Sequence, residues 1–98
     1  MPRIILTPIA IEDSERLRLF LRKKNPIAAQ RATTAIREAI RSLAIYPQAN
    51  RARADNSRLR ELIIPFGDSG YIALYEYIVA QDVVYVLGIK HQREDDFE

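Results

Sequence analysis

Near the C-terminal end, Lys90-His91-Gln92-Arg93 sets the only histidine of the chain among cations. Histidine titrates close to neutrality and is the residue most often used for general acid/base chemistry. Upstream, Arg58 and Arg60 stand two apart, a spacing that sends both side chains to one face of a strand. Together Arg58, Arg60, Lys90, His91 and Arg93 form a set able to bind phosphate or an acidic target surface, with His91 the catalytic candidate if the chemistry is general acid/base. A plainer reading needs no ligand: like charges where a strand begins are solvated, and His91 hydrogen-bonds the neighbouring backbone. A structural or binding role outweighs catalysis for His91. The other constellations of enzymes are missing from the sequence, which has no P-loop, dinucleotide fingerprint or G-x-S-x-G elbow. With one histidine and no cysteine, neither a metal site nor a cofactor is expected.

Tyr71, Tyr75 and Tyr77 share one strand face by parity, and Ile72, Leu74 and Ile78 share the other. The aliphatic set suits a covering layer of helices, which leaves the tyrosines on a partly open face where a peptide or a base can stack. The alternative is a tyrosine-lined half of the core.

The elements that must position these residues follow from periodicity. Arg3–Leu6 is a short β-branched run, and Thr7-Pro8 supplies a capping hydroxyl and a proline for the first helical position. Ala10, Leu17, Phe20 and Leu21 fall on one face of the helix that follows. Glu12, Asp13 and Glu15 near its start and Arg22, Lys23 and Lys24 near its end suit the helix dipole. Asn25-Pro26 ends this helix and caps a second, whose stripe of Ala28, Ala32, Ala35, Ile36, Ala39, Ile40 and Leu43 runs to about Tyr46 before Pro47. So short a linker implies an antiparallel helical hairpin, with Arg31, Thr34, Arg37, Glu38 and Arg41 on its outer surface. Residues 47–57 read as the most mobile internal loop. Strands are predicted over Leu59–Ile64, Tyr71–Val79 and Val83–Lys90, joined by a turn at 65–70 and another at Gln81-Asp82. The order β-α-α-β-β-β predicts an α+β fold in which the hairpin covers one face of a small, mostly antiparallel sheet.

At 98 residues the chain has surface enough for one core, so residues 1–98 form a single domain. Hydrophobic residues at 48% and charged residues at 29% fit a folded rather than a disordered chain. The lack of cysteine suits a reducing cytoplasm. Residues 1–10 read as a strand entering a helix cap rather than a secretory signal. The apolar stretch Tyr71–Ile89 carries Glu76, Gln81 and Asp82 and so is not a membrane span. Charge is uneven: residues 1–60 hold thirteen Lys or Arg against five Asp or Glu, a net +8. Residues 61–98 hold two against eight, a net −6, which returns the overall +2. A basic first part can meet nucleic acid, an acidic partner protein or an acidic patch on a target.

Read in order, Asn25-Pro26-x-Ala28-Ala29, Arg60-Glu61-Leu62, Ser69-Gly70-Tyr71, Leu74-Tyr75 and Val84-Tyr85-Val86-Leu87-x-Ile89-Lys90-His91-Gln92-Arg93-Glu94 resemble the RelE/ParE superfamily of toxins from type II toxin-antitoxin systems. The ending resembles ParE-type, plasmid-stabilisation members more closely. That branch implies poisoning of DNA gyrase and arrest of replication without covalent chemistry. The RelE-type alternative implies ribosome-dependent cutting of mRNA, for which the family uses a strand arginine and a C-terminal tyrosine. Here Ile63 and Phe97 stand at those positions, while His91 falls near a catalytic one. Either branch implies a cognate antitoxin, ParD-like in the first case, forming a hetero-oligomer with a toxin that is a monomer or dimer when free. Its helix would lie on the hairpin and an extended stretch on the sheet, with Leu17, Arg31, Arg37, Arg41, Tyr71, Tyr75 and Tyr77 as contacts. No membrane partner is implied.

Overall fold

Thr7 begins the first helix as its hydroxyl allows. In the computed structural model, which describes residues 1–94 and 97, Thr7 Oγ1 accepts the Ala10 N–H at 3.3 Å and donates to the Val86 carbonyl at 3.0 Å. One side chain thus caps α1 (Pro8–Lys24) and ties it to the sheet. Thr7→Ala should lower stability by about 1–2 kcal/mol, with Thr7→Ser recovering most of the loss; urea unfolding of the two variants measures it. Asn25 serves both helices. Its N–H donates to Leu21 O at 2.8 Å, closing α1, and its Oδ1 accepts the N–H groups of Ile27 and Ala28, opening α2 (Pro26–Ser42). The hairpin linker is therefore a single residue.

Four strands follow the expected order: β1 (Arg3–Leu6), then β2 (Leu59–Phe66), β3 (Ser69–Ile78) and β4 (Val83–His91). They lie as β1-β4-β3-β2, with β1 parallel to β4 and the other pairs antiparallel. The 65–70 turn is shorter than its composition implies, because β2 and β3 pair as far as Phe66 with Ser69. Gly67 (φ 60°) takes the first place of the two-residue turn, where a left-handed backbone matches the strand twist. Past Val86, β4 outruns β1, and Asp13 Oδ2 accepts the Ile89 N–H at 3.0 Å in place of a strand. The acidic residues of α1 lie beyond its first turn, where the dipole has faded, so Asp13 acts as a lid on a sheet edge rather than as a dipole partner.

The core between hairpin and sheet contains Ala10, Ala32, Ile36, Ile40 and Leu43 from the helical side and Leu62, Ile64, Ala73, Val84, Val86 and Ile89 from the strands. Ala32, Ile36 and Ile40 of the α2 stripe are buried, and Ala29 is buried where the stripe named Ala28. Phe20 departs from its stripe. It is 61% exposed, and between Leu17 and Ala29 only Leu21, partly buried, packs against the core. Lys24 covers the Phe20 ring, its Nζ 4.5 Å from the centroid.

The tyrosine expectation is reversed. Tyr71 and Tyr75 are buried under the helices with Ala73 between them, and Ile72, Leu74 and Ile78 face the opposite way. Glu76 belongs to the aliphatic set, and a carboxylate beneath a helical layer would need a partner there. Leu17 is buried as well. The 47–57 loop is better anchored than its composition implies: Arg53 N–H donates to Leu59 O, Glu61 N–H to Arg51 O, and Ala52 bridges Arg60, so the loop covers the start of the free β2 edge, from Leu59 to Glu61.

Candidate functional site

The five target-binding candidates separate into two groups. Arg60 lies opposite Tyr75 and Val86 on β3 and β4, whereas His91 lies opposite Tyr71 and Ile64. That places them four residues apart along the strands, about 13 Å, and two strands apart, about 10 Å. One phosphate cannot bridge both groups.

Arg60 is a structural residue on the helix side of the sheet. Its Nη1 donates to the Asn50 carbonyl at 2.6 Å, beside a Tyr75 hydroxyl that donates to Pro47 O at 2.9 Å and accepts from Asn50 Nδ2 at 3.2 Å. These bonds bind the loop to the sheet. Arg58 precedes β2 and is exposed; its backbone N–H donates to Asn56 Oδ1. Spacing alone suggested a shared role, but Arg60 is drawn down onto the loop and Arg58 is not.

At the other end, β4 presents Lys90 on the face opposite the helices and His91 on the helix side. Lys90 Nζ donates to the Glu94 carbonyl at 3.1 Å and stands 5.6 Å from the centroid of the Phe97 ring. The His91 ring meets Tyr71 edge-on at 5.6 Å. Its Nδ1 accepts the Arg93 N–H at 3.1 Å, and its Nε2 lies 3.0 Å from Ser69 Oγ. Because Nδ1 is an acceptor, the neutral ring must carry its proton on Nε2, which therefore donates to Ser69. Neither nitrogen is left to take a proton from a substrate without breaking a bond of the turn. His91 hydrogen-bonds the neighbouring backbone, as the plainer reading allows. Arg93 is exposed.

Glu94, which sequence reasoning quoted without assigning a role, joins this end to α1. Arg16 Nη1 donates to Glu94 Oε1 at 3.0 Å, and the same oxygen accepts the His91 N–H at 3.4 Å. The Glu94 hydrogen bond, foremost, raises the Arg16 pKa above its usual value. Ser69 was equally unassigned; its place before the Gly70-Tyr71 pair carried no chemical cue.

The open sheet face carries Ile63, 48% exposed, with Ile72, Ile78 and Tyr85 partly buried and Leu74 buried among them. At its β2 edge Glu61 lies 3.4 Å from Arg53 and 3.6 Å from Arg51. This is an apolar surface with a charged rim, suited to contact with a macromolecule. Among the described residues no group of His, Cys, Asp or Glu could hold a metal ion. No helix among them is long and apolar enough to cross a membrane. Of the antitoxin candidates, Leu17, Tyr71 and Tyr75 are buried and offer no surface. Tyr77 donates its hydroxyl to Asp82 at 2.7 Å, and Arg31, Arg37 and Arg41 are exposed on α2.

Residues 4–96 match the family model described as the ParE toxin of the type II toxin-antitoxin system parDE. Two proteins of Caulobacter vibrioides are similar along nearly their whole length. Toxin RelE3 is 34% identical, covering 96% of this chain and 98% of its own, and Toxin RelE2 is 31% identical, covering 93% and 96%. Among solved structures, the toxin-antitoxin complex RelBE of E. coli superposes with a TM-score of 0.64 at 17% identity over 96% of this chain and all of that one. The isolated E. coli RelE toxin also gives 0.64, at 16% identity, over 98% of this chain and 89% of that one. The likeness to these structures is one of fold: two helices on a four-stranded mixed sheet.

Proposed function

The chain belongs to the RelE/ParE superfamily of type II toxin-antitoxin toxins, and from that membership we propose that it acts by binding DNA gyrase and blocking replication. A cognate antitoxin holds it inactive. The hydrogen bonding of His91 carries the choice of gyrase: the one residue that argued for acid/base catalysis has both ring nitrogens committed, to Arg93 N–H and to Ser69 Oγ. Ile63 and Phe97, at positions where the RelE-type resemblance asks for an arginine and a tyrosine, support the same reading. The working surface is then a binding surface, with Arg58 and Arg93 the exposed cations among the original candidates. Arg31, Arg37 and Arg41 on α2 remain antitoxin contacts.

Purified chain added to gyrase should abolish supercoiling or accumulate cleaved DNA, and His91→Gln should act as well as the unaltered chain. Undiminished supercoiling at saturating toxin would reject the proposal.

A second reading is a ribosome-dependent endoribonuclease, favoured by the two relatives named RelE toxins. It predicts mRNA cuts in the ribosomal A site that vanish in His91→Ala.

A further inference from the structure

The helical hairpin, residues 8–42, carries eight of the thirteen Lys or Arg of residues 1–60, against four Asp or Glu. The seam between α1 and α2 opens into a groove of about 640 Å³, lined by Arg18, Arg22 and Arg37, with Gln30 and Thr34, over Ala29. No carboxylate lines it. Arg18 is held in place by a two-pronged bond to Glu15, at 2.6 and 3.1 Å, while the Arg22 and Arg37 side chains reach solvent. Gln30, Thr34, Arg37 and Arg41 follow one another at i, i+4, i+7 and i+11, so they form one exposed stripe of α2 beside the groove. The stripe is about 16 Å long, roughly five base-pair steps.

We infer that this groove and stripe bind the phosphodiester backbone of nucleic acid without regard to base sequence. The lining decides the class of partner. Guanidinium, hydroxyl and amide groups are the side chains that meet phosphate oxygens. A protein interface, by contrast, is anchored by buried apolar or aromatic groups at its centre. None of the large exposed apolar residues of the hairpin, Ile9, Ile11, Leu19, Phe20 and Ile27, is part of the lining. A second copy of this chain would bring like charges together. The inference needs neither gyrase nor the ribosome, and it uses residues apart from those proposed for the protein target. Arg37 and Arg41 are shared with the antitoxin surface, so a bound antitoxin would mask the nucleic-acid surface.

The test is fluorescence anisotropy of a labelled duplex of about 20 base pairs, titrated with the purified full chain between about 50 and 200 mM salt. Neutralisation of three phosphates predicts a log–log salt slope of about −2.7. The double variant Arg22→Glu with Arg37→Glu should bind on the order of tenfold more weakly and bring the slope toward about −1. Arg3→Glu, on the exposed start of β1, should change neither. Circular dichroism establishes that each variant is folded. The inference is overturned if the unaltered chain does not bind the duplex, or if the double variant keeps its affinity and slope. It is also overturned if poly-glutamate displaces the chain as effectively as unlabelled DNA, because the groove would then be a site for an acidic protein. Since gyrase is absent from the assay, either result leaves the gyrase reading to its own test.

Discussion

Tyr75→Ala should destabilise the fold by about 3–5 kcal/mol, the range for removing a large buried aromatic ring. Tyr75 is fully buried at the centre of β3, and truncation would open a cavity under Ile36 and Ile40. Tyr75→Phe isolates the hydroxyl. The phenol donates to Pro47 O and accepts from Asn50, so its loss strands one carbonyl and one amide at the base of the 47–57 loop, for about 1–3 kcal/mol. The loop should loosen first. Hydrogen exchange would then rise at Arg53 and Glu61, whose amides pair along the loop, more than in the helices.

A pH effect accompanies this variant. Burial, the largest influence, holds the Tyr75 pKa above the usual tyrosine value, against smaller opposing effects of Asn50 and Arg60. A group whose pKa is raised on folding contributes stability that is complete below its unfolded pKa, about 10, and is lost as pH climbs through the folded value. Denaturant midpoints should therefore fall above about pH 10, less steeply in Tyr75→Phe. Tyr71, raised chiefly by burial, and Tyr77, raised chiefly by its bond to Asp82, account for part of the slope that remains. Equal alkaline slopes in the variant and the unaltered chain would contradict the assignment to Tyr75. A variant that keeps its stability but loses antitoxin would instead restore Tyr75 to a binding surface.

Gly70→Ala should cost about 2–4 kcal/mol by overpacking. A Cβ at Gly70 would run into the carbonyl oxygen of Ile64, with Phe66 N at 3.0 Å, and backbone atoms of a paired strand cannot turn aside as a side chain can. The methyl group would force β2 from β3 at their turn. Ser69, the partner of His91 Nε2, and the Gly70 carbonyl that accepts the Gln92 N–H lie at that point. The Lys90–Arg93 end should be disturbed with it. Gly67 makes the comparison, since a Cβ there meets nothing within 4 Å and the strain comes only from φ 60°. Gly67→Ala should cost about 1 kcal/mol, and Gly67→Asn less. Thermal melts of the three variants would separate crowding from backbone strain, and a Gly70→Ala protein as stable as Gly67→Asn would refute the close approach.

The two helices, their single-residue linker and the strand order were legible in the sequence because each is fixed locally. Thr7-Pro8 and Asn25-Pro26 state their caps within four residues, and the alanine stripe of α2 names its own buried face. The loop was less legible. Residues 47–57 have the composition of free chain, yet Tyr75, far along in sequence, and Arg60 and Glu61, just past the loop, hold them down.

The face of β3 shows the limit most directly. Alternation separates Tyr71, Tyr75 and Tyr77 from Ile72, Leu74 and Ile78, but parity alone cannot say which set lies under the helices. Glu76 in the aliphatic set was the available clue. The candidate site divides the same way: the sequence determined that Arg58, Arg60, Lys90, His91 and Arg93 are present and that Arg58 and Arg60 stand two apart where a strand begins. Only the tertiary structure decided that Arg60 and His91 stand in separate groups and that the proton of neutral His91 sits on Nε2. Register between strands and the partners of a ring nitrogen are long-range properties, set by which backbone atoms the packed core brings within bonding distance.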